Sequence, residues 1–212
     1  MKALYYDVHQ PQLARYSADT MARFRKGRDF ERTYKETYPE GIDISARLRG
    51  GIGQYPVLTA ALLRGEGEVT LFEAGFLYDE VLVLADVVCK HADDTVDVYE
   101  VKSGCAVTDT FRNDASVQQY VVRHALASIQ PPNLFSEGLR LSHFHLLYND
   151  GNGGFVAEDQ LAAAQQREEA IAANIARFKA VVRGEEPRVA MSPHCDHPYE
   201  CPYKAHCLVF KN

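Results

Sequence analysis

Two apolar strands that carry charges where a buried strand should carry none constrain this chain more than any other feature. They are Val81–Cys89 (VLVLADVVC) and Val96–Lys102 (VDVYEVK). Asp86 interrupts the first, and Glu100 and Lys102 stand two residues apart in the second. Side chains alternate between the faces of a strand, so residues i and i+2 share a face with Cα atoms ~6.5–7 Å apart. Glu100 and Lys102 therefore point the same way, and Asp86 meets them if the strands pair as neighbours. Two carboxylates and an ammonium on an apolar sheet are costly to bury without partners. A divalent metal would offset that cost.

Composition narrows the class. The 212 residues suffice for one domain with a real core, and 46% hydrophobic with 25% charged residues is ordinary for a globular protein. A net charge of −6 argues against a broad basic surface of the kind that binds nucleic acid non-specifically. Residues 1–20 lack the apolar core of a signal peptide, and no apolar run approaches the ~20 residues of a membrane span. A soluble, cytoplasmic protein with no membrane partner is expected.

In chain order, Ser17 or Asp19 caps a helix to about Tyr38, with Met21, Phe24 and Phe30 inward. Residues 41–53 read as a Gly-rich loop. It lacks the GK[ST] of a phosphate loop. Tyr55–Arg64 is a short helix. Val69–Tyr78, Val81–Cys89 and Val96–Lys102 form a three-stranded meander, with a tight turn at Asp79-Glu80. Asn113 or Asp114 caps a helix to about Ala127, and Pro131-Pro132 stops it. Arg140–Asn149 alternates as a fourth strand. Glu158–Arg183 reads as one long Ala-rich helix, and the tail from Met191 as loop. The fold class is α/β, a central mixed sheet flanked by helices, with residues 1–190 as one domain and 191–212 as a cysteine-bearing tail packed on it.

Asp86 and Glu100 are hard oxygen ligands suited to Mg²⁺ or Mn²⁺. Lys102 beside them supplies a fixed positive charge where negative charge develops in a transition state. Gln118, on the following helix, can orient Lys102 or a water. The plain alternative is that Lys102 only neutralises Glu100 at a sheet edge.

Together these residues resemble the PD-(D/E)XK nuclease superfamily, in its RecB-like branch. The segments FEAGF (72–76), ADVV (85–88), YEVKS (99–103) and DASVQQYVV (114–122) are also similar to an uncharacterised bacterial family of RecB-like nucleases. The resemblance implies a restriction-endonuclease-like core and hydrolysis of phosphodiester bonds in DNA, with exonuclease action the better fit. It implies that Asp86, Glu100 and the carbonyl of Val101 hold the metal, with Lys102 and Gln118 assisting. Gly27 matches the helix that precedes the strands in that branch, but Glu31 stands where a metal-binding His is usual. Glu73 recurs in the pattern and either reaches the metal or pairs with a neighbour. Arg112 and Arg123 are candidate walls of a substrate groove.

Cys195, Cys201 and Cys207 form a second constellation in HCDHPYECPYKAHC (194–207). In a reducing compartment such spacing favours ligation over disulfides. A Zn²⁺ site could add His194, His197 or His206 as a fourth ligand. The tail also looks like that of the CRISPR-associated RecB-like exonucleases, in which one early cysteine and three late ones hold a [4Fe–4S] cluster. No cysteine precedes Cys89, and Lys2-Ala3-Leu4-Tyr5 resembles the segment that follows the first ligand, so that cysteine is expected just upstream of Met1. Against the enzyme reading stands a catalytically degenerate adaptor, stabilised by zinc or a cluster, that binds nucleic acid or protein.

Overall fold

The computed structural model describes residues 1–130, 138–197 and 199–209. The helices are α1 (Lys2–His9), α2 (Ala18–Lys35), α3 (Ile44–Arg47), α4 (Tyr55–Leu63), α5 (Asp109–Ala127), α6 (Leu161–Gln165), α7 (Glu168–Arg183) and α8 (Lys204–Val209). The strands are β1 (Ile42–Asp43), β2 (Val69–Tyr78), β3 (Val81–Lys90), β4 (Thr95–Lys102), β5 (Arg140–Asn149) and β6 (Phe155–Asp159). The protein is α/β, with these strands in one mixed six-stranded sheet in sequence order. The chain divides into two compact units, residues 27–171 and residues 1–26 with 172–212. The tail thus groups with the N-terminal segment and with α7 from Ala172 onward.

Residues 27–171 contain the whole sheet. β2, β3 and β4 form the expected antiparallel meander, while β1–β2 and β4–β5 pair in parallel. Asp79 and Glu80 both take positive φ (48° and 64°), the twist that a two-residue hairpin needs. Parallel β4 and β5 require a crossover, and α5 supplies it. One face buries Tyr34, Phe72, Val87 and Leu147, with Tyr99, Val101 and Phe155 packed against them. α5 buries Ala115, Val121, Val122 and Leu126 beside Gln118 and Gln119.

α4 lies so close to β2 that Gly75 has no room for a side chain. A β-carbon there would stand 2.4 Å from Tyr55 Cβ and 2.9 Å from the Pro56 nitrogen. The Gly75 N–H also donates to Thr59 Oγ1 at 2.9 Å. Gly75→Ala is expected to cost about 1–3 kcal/mol through overpacking, read as a lower urea midpoint. An unchanged midpoint would mean that α4 is not seated this tightly.

Five sequence expectations change. Residues 41–53 are not all loop, since β1 and α3 form there, and the tail from Met191 contains helix α8. Ser17 does cap α2, through the Thr20 N–H, but Met21 and Phe24 are exposed, and only Phe30 turns inward, onto Phe155. α5 starts five to six residues earlier than expected, because Thr108 accepts from the Phe111 N–H and caps it. It ends at Ala127, and Pro131-Pro132 lie outside the described residues. Glu158–Arg183 is not one helix. Its first residues belong to β6, which pairs with β5 from His145↔Asp159 to Asn149↔Phe155 and satisfies a strand edge that would otherwise be open.

In the other unit, α1 folds against the tail. Buried Tyr6 donates to Glu186 at 2.6 Å and packs its ring on Tyr203 and His206. Tyr203 donates to Asp7 at 2.6 Å, and the Arg15 N–H bonds the Pro202 carbonyl. Among the described residues, no helix is long and apolar enough to cross a membrane.

Candidate active site

The site forms where β3 and β4 part company. Their ladder runs from Lys90↔Val96 to Val87↔Tyr99, and its next step would bring Asp86 opposite Glu100. There the main-chain pairing ends, and Asp86 Oδ2 accepts the Val101 N–H at 2.7 Å instead. In an extended strand, the N–H and C=O of one residue point to the same side. The Val101 carbonyl therefore faces the Asp86 side too, where the resemblance implies a metal.

On its other edge, β3 pairs with β2 continuously except at one step, Glu73 opposite Asp86. Glu73 adopts φ +53°, a left-handed conformation that costs a non-glycine residue on the order of 1–3 kcal/mol. α2 contributes Glu31 and, one turn later, Lys35. Carboxylate oxygens of Glu31, Glu73 and Asp86 lie within 4.8 Å of one another, a group able to hold a metal ion. Lys35 bridges two of them, contacting Glu31 and donating to Glu73 at 2.7 Å.

Glu100 is adjacent but engaged separately. Lys102 donates to Glu100 Oε1 and to Asp114 Oδ2, each at 2.6 Å. Gln118, one turn beyond Asp114 on α5, lies beside Glu100. Glu100 Oε2 and Gln118 Oε1 are buried and lack a hydrogen-bond partner among the described residues. Such orphaned acceptors cost on the order of 1–3 kcal/mol each, and they are the atoms that a cation and its water would satisfy.

The electrostatics follow from crowding. Asp86 keeps a little surface contact but sits deep among protein atoms; burial, then Glu100 and Glu31, hold its carboxyl well above the usual range. Burial also raises Glu100 against the opposing pull of Lys102, and raises Glu73 against that of Lys35. Burial disfavours both ammonium groups, yet their carboxylates outweigh it and raise both. If every group ionises, Glu31, Glu73, Asp86, Glu100 and Asp114 carry five negative charges against two positive ones.

The structure thus brings together Glu31, Glu73, Asp86, Val101, Glu100, Lys102 and Gln118. Lys35 and Asp114 are the neighbours of the candidate site that the sequence reading missed. Both left a trace, Lys35 four residues after Glu31 and Asp114 four before Gln118. Arg112 is paired with Glu158 and Asp109, and Arg123 with Glu168, so both expected groove walls are already neutralised. His124 is also engaged, bonding Glu168 at 2.9 Å and stacking on Tyr78.

The three tail cysteines line one cavity of about 620 Å³ in the unit of residues 1–26 and 172–212, with Met1, Lys2, Tyr6 and His194 also in its wall. The Cys201 N–H bonds the Cys195 carbonyl at 2.8 Å. Burial pushes the Cys207 thiol up, and Lys2 works against it. Tetrahedral zinc would hold sulfurs roughly 3.8 Å apart. Among the described residues, these thiols belong to no trio of possible ligands whose donor atoms all lie within 4.8 Å. Their spacing is wider than zinc requires.

No family profile matches the chain, and no curated protein does. A solved structure from Silicibacter pomeroyi, a protein of unknown function, is 21% identical over 68% of this chain and 100% of its own. Its TM-score of 0.22 is too low to support any argument.

Proposed function

We propose that the chain is a metal-dependent nuclease of restriction-endonuclease-like architecture that hydrolyses phosphodiester bonds in DNA, by exonuclease action. The observation that supports this best is the meeting of half-buried carboxylates at the parting of β3 and β4, with a buried orphan oxygen on Glu100 and a lysine beside it.

Asp86, Glu100, Glu31 and the Val101 carbonyl would hold Mg²⁺ or Mn²⁺, which acidifies a bound water and neutralises phosphate charge when present. Lys102, fixed between Glu100 and Asp114, presents its ammonium to the attacking water or to the charge that grows on the phosphate. Gln118 orients that water through its free amide oxygen. In the tail, Cys195, Cys201 and Cys207 would supply three thiolates, either to an iron–sulfur cluster whose fourth ligand this chain does not provide, or, with a histidine, to Zn²⁺.

The test is cleavage of linear single- and double-stranded DNA in Mn²⁺, comparing wild type with Glu100→Gln. Wild type is expected to cut, and the variant to lose at least a hundredfold. Folded wild type that cuts neither single- nor double-stranded DNA would overturn the reading.

A further inference from the structure

The acidic pocket of residues 27–171 already contains a cation. Lys35 Nζ touches Glu31 and lies 2.7 Å from Glu73, with only 15% of its side chain exposed. Its ammonium stands 5.5 Å from the Phe72 ring centroid, so an aromatic face supports it as well. The carboxylates it holds belong to the same trio whose oxygens lie within 4.8 Å, a span that one small cation could satisfy. An ammonium and a divalent ion therefore seek the same carboxylates. At these distances two cations repel strongly, since charge screening inside a protein is much weaker than in water.

Resting on the metal reading above, we propose that Lys35 is the resident cation of this site. It holds Glu31 and Glu73 together in the metal-free protein, and it yields Glu31 when a divalent ion enters beside Asp86. Lys35 thereby sets the metal concentration at which the site fills.

The residues on either side make this exchange workable. Lysine carries its charge on a flexible four-carbon stem and needs no fixed fork geometry. Glu31 and Lys35 are one helical turn apart, so Glu31 can turn away without moving the backbone. Glu73 lies on a different strand, held in its left-handed conformation, and it keeps the ammonium when Glu31 leaves. Without Lys35 three carboxylates would share one small volume with no counter-charge inside it.

The experiment is calorimetric titration of the full chain with Mn²⁺ for wild type, Lys35→Met and Lys35→Arg. Lys35→Met keeps the apolar stem over Phe72 and removes the charge, and it is expected to bind Mn²⁺ at least tenfold more tightly than wild type. Lys35→Arg keeps the charge and should bind no more tightly. Equal or weaker binding by Lys35→Met, with wild type binding normally, overturns the proposal and leaves the metal site intact. Binding by none of the three removes the metal reading instead. Should Lys35→Met fail to fold, side-chain NMR of wild type decides the matter. The Lys35 resonances should shift in step with Mg²⁺ occupancy, and a signal unmoved at saturation overturns the proposal.

Discussion

Lys102→Met should reduce Mn²⁺-dependent cleavage of linear DNA at least a hundredfold while leaving Mn²⁺ binding in place. Lys102 is not a proposed ligand, so its loss removes no donor from the metal and lowers the local positive charge. What disappears is a fixed ammonium next to the reacting centre. Removing one such preorganised charge stabiliser costs about 10²–10³ in rate, or about 2.7–4 kcal/mol. A structural side effect is also expected. Glu100, with only 7% of its side chain exposed, loses its partner, while the more exposed Asp114 relaxes into water. Breaking a buried pair costs about 3–5 kcal/mol, but Glu100 can take up a proton and escape part of this. A measured Mn²⁺ affinity beside the rate separates the two effects. A Lys102→Met protein that binds Mn²⁺ and cuts at the wild-type rate would reduce Lys102 to a structural counter-ion.

Asp86→Asn should raise the melting temperature of the metal-free protein near neutral pH and abolish its response to Mn²⁺. The Asp86 carboxyl titrates well above its usual range because burial and neighbouring carboxylates oppose its charge. The native state therefore holds a proton that the unfolded chain has already released. Between the unfolded value, ~3.9, and the raised folded value, stability falls as pH rises. Glu100 and Glu73 titrate upward as well and add slopes of the same sign.

Asparagine keeps an acceptor for the Val101 N–H and carries no charge. Relief of about 2 kcal/mol, within the range known for removing buried charge, corresponds to roughly 4–8 °C in a protein of this size. Wild type without metal should melt at progressively lower temperature as pH climbs from about 4, and the variant should follow a flatter curve. In wild type Mn²⁺ should reverse the fall by mass action. Thermal melts across pH, with and without Mn²⁺, check both halves. A lower melting temperature for Asp86→Asn at neutral pH would show that the carboxylate contributes net stability and is no stored cost.

Much of the fold was legible because it is local. The β2–β4 meander follows from alternation and from a turn that tolerates positive φ. Glu158–Arg183 misled because alanine-rich sequence favours helix wherever packing does not object. At residues 155–159, the exposed edge of β5 did object, and a strand formed. The start of α5 misled differently. Asp114 looks like a helix cap, but Thr108 takes that role and frees Asp114 to hold Lys102.

By itself the sequence determined that Asp86, Glu100 and Lys102 would share one polar patch on an apolar sheet. Strand periodicity is a property of the backbone and needs no partner to be read. Only the tertiary structure decided which further groups complete the patch. Glu31 and Lys35 arrive on a helix some fifty residues before Asp86, and Glu73 reaches them through a left-handed turn of its backbone. Contacts of that kind depend on how a helix is laid across a sheet and on strain that the surrounding packing supports. Neither is encoded in any short stretch of residues, which is why an ammonium among the clustered carboxylates became visible only in the folded chain.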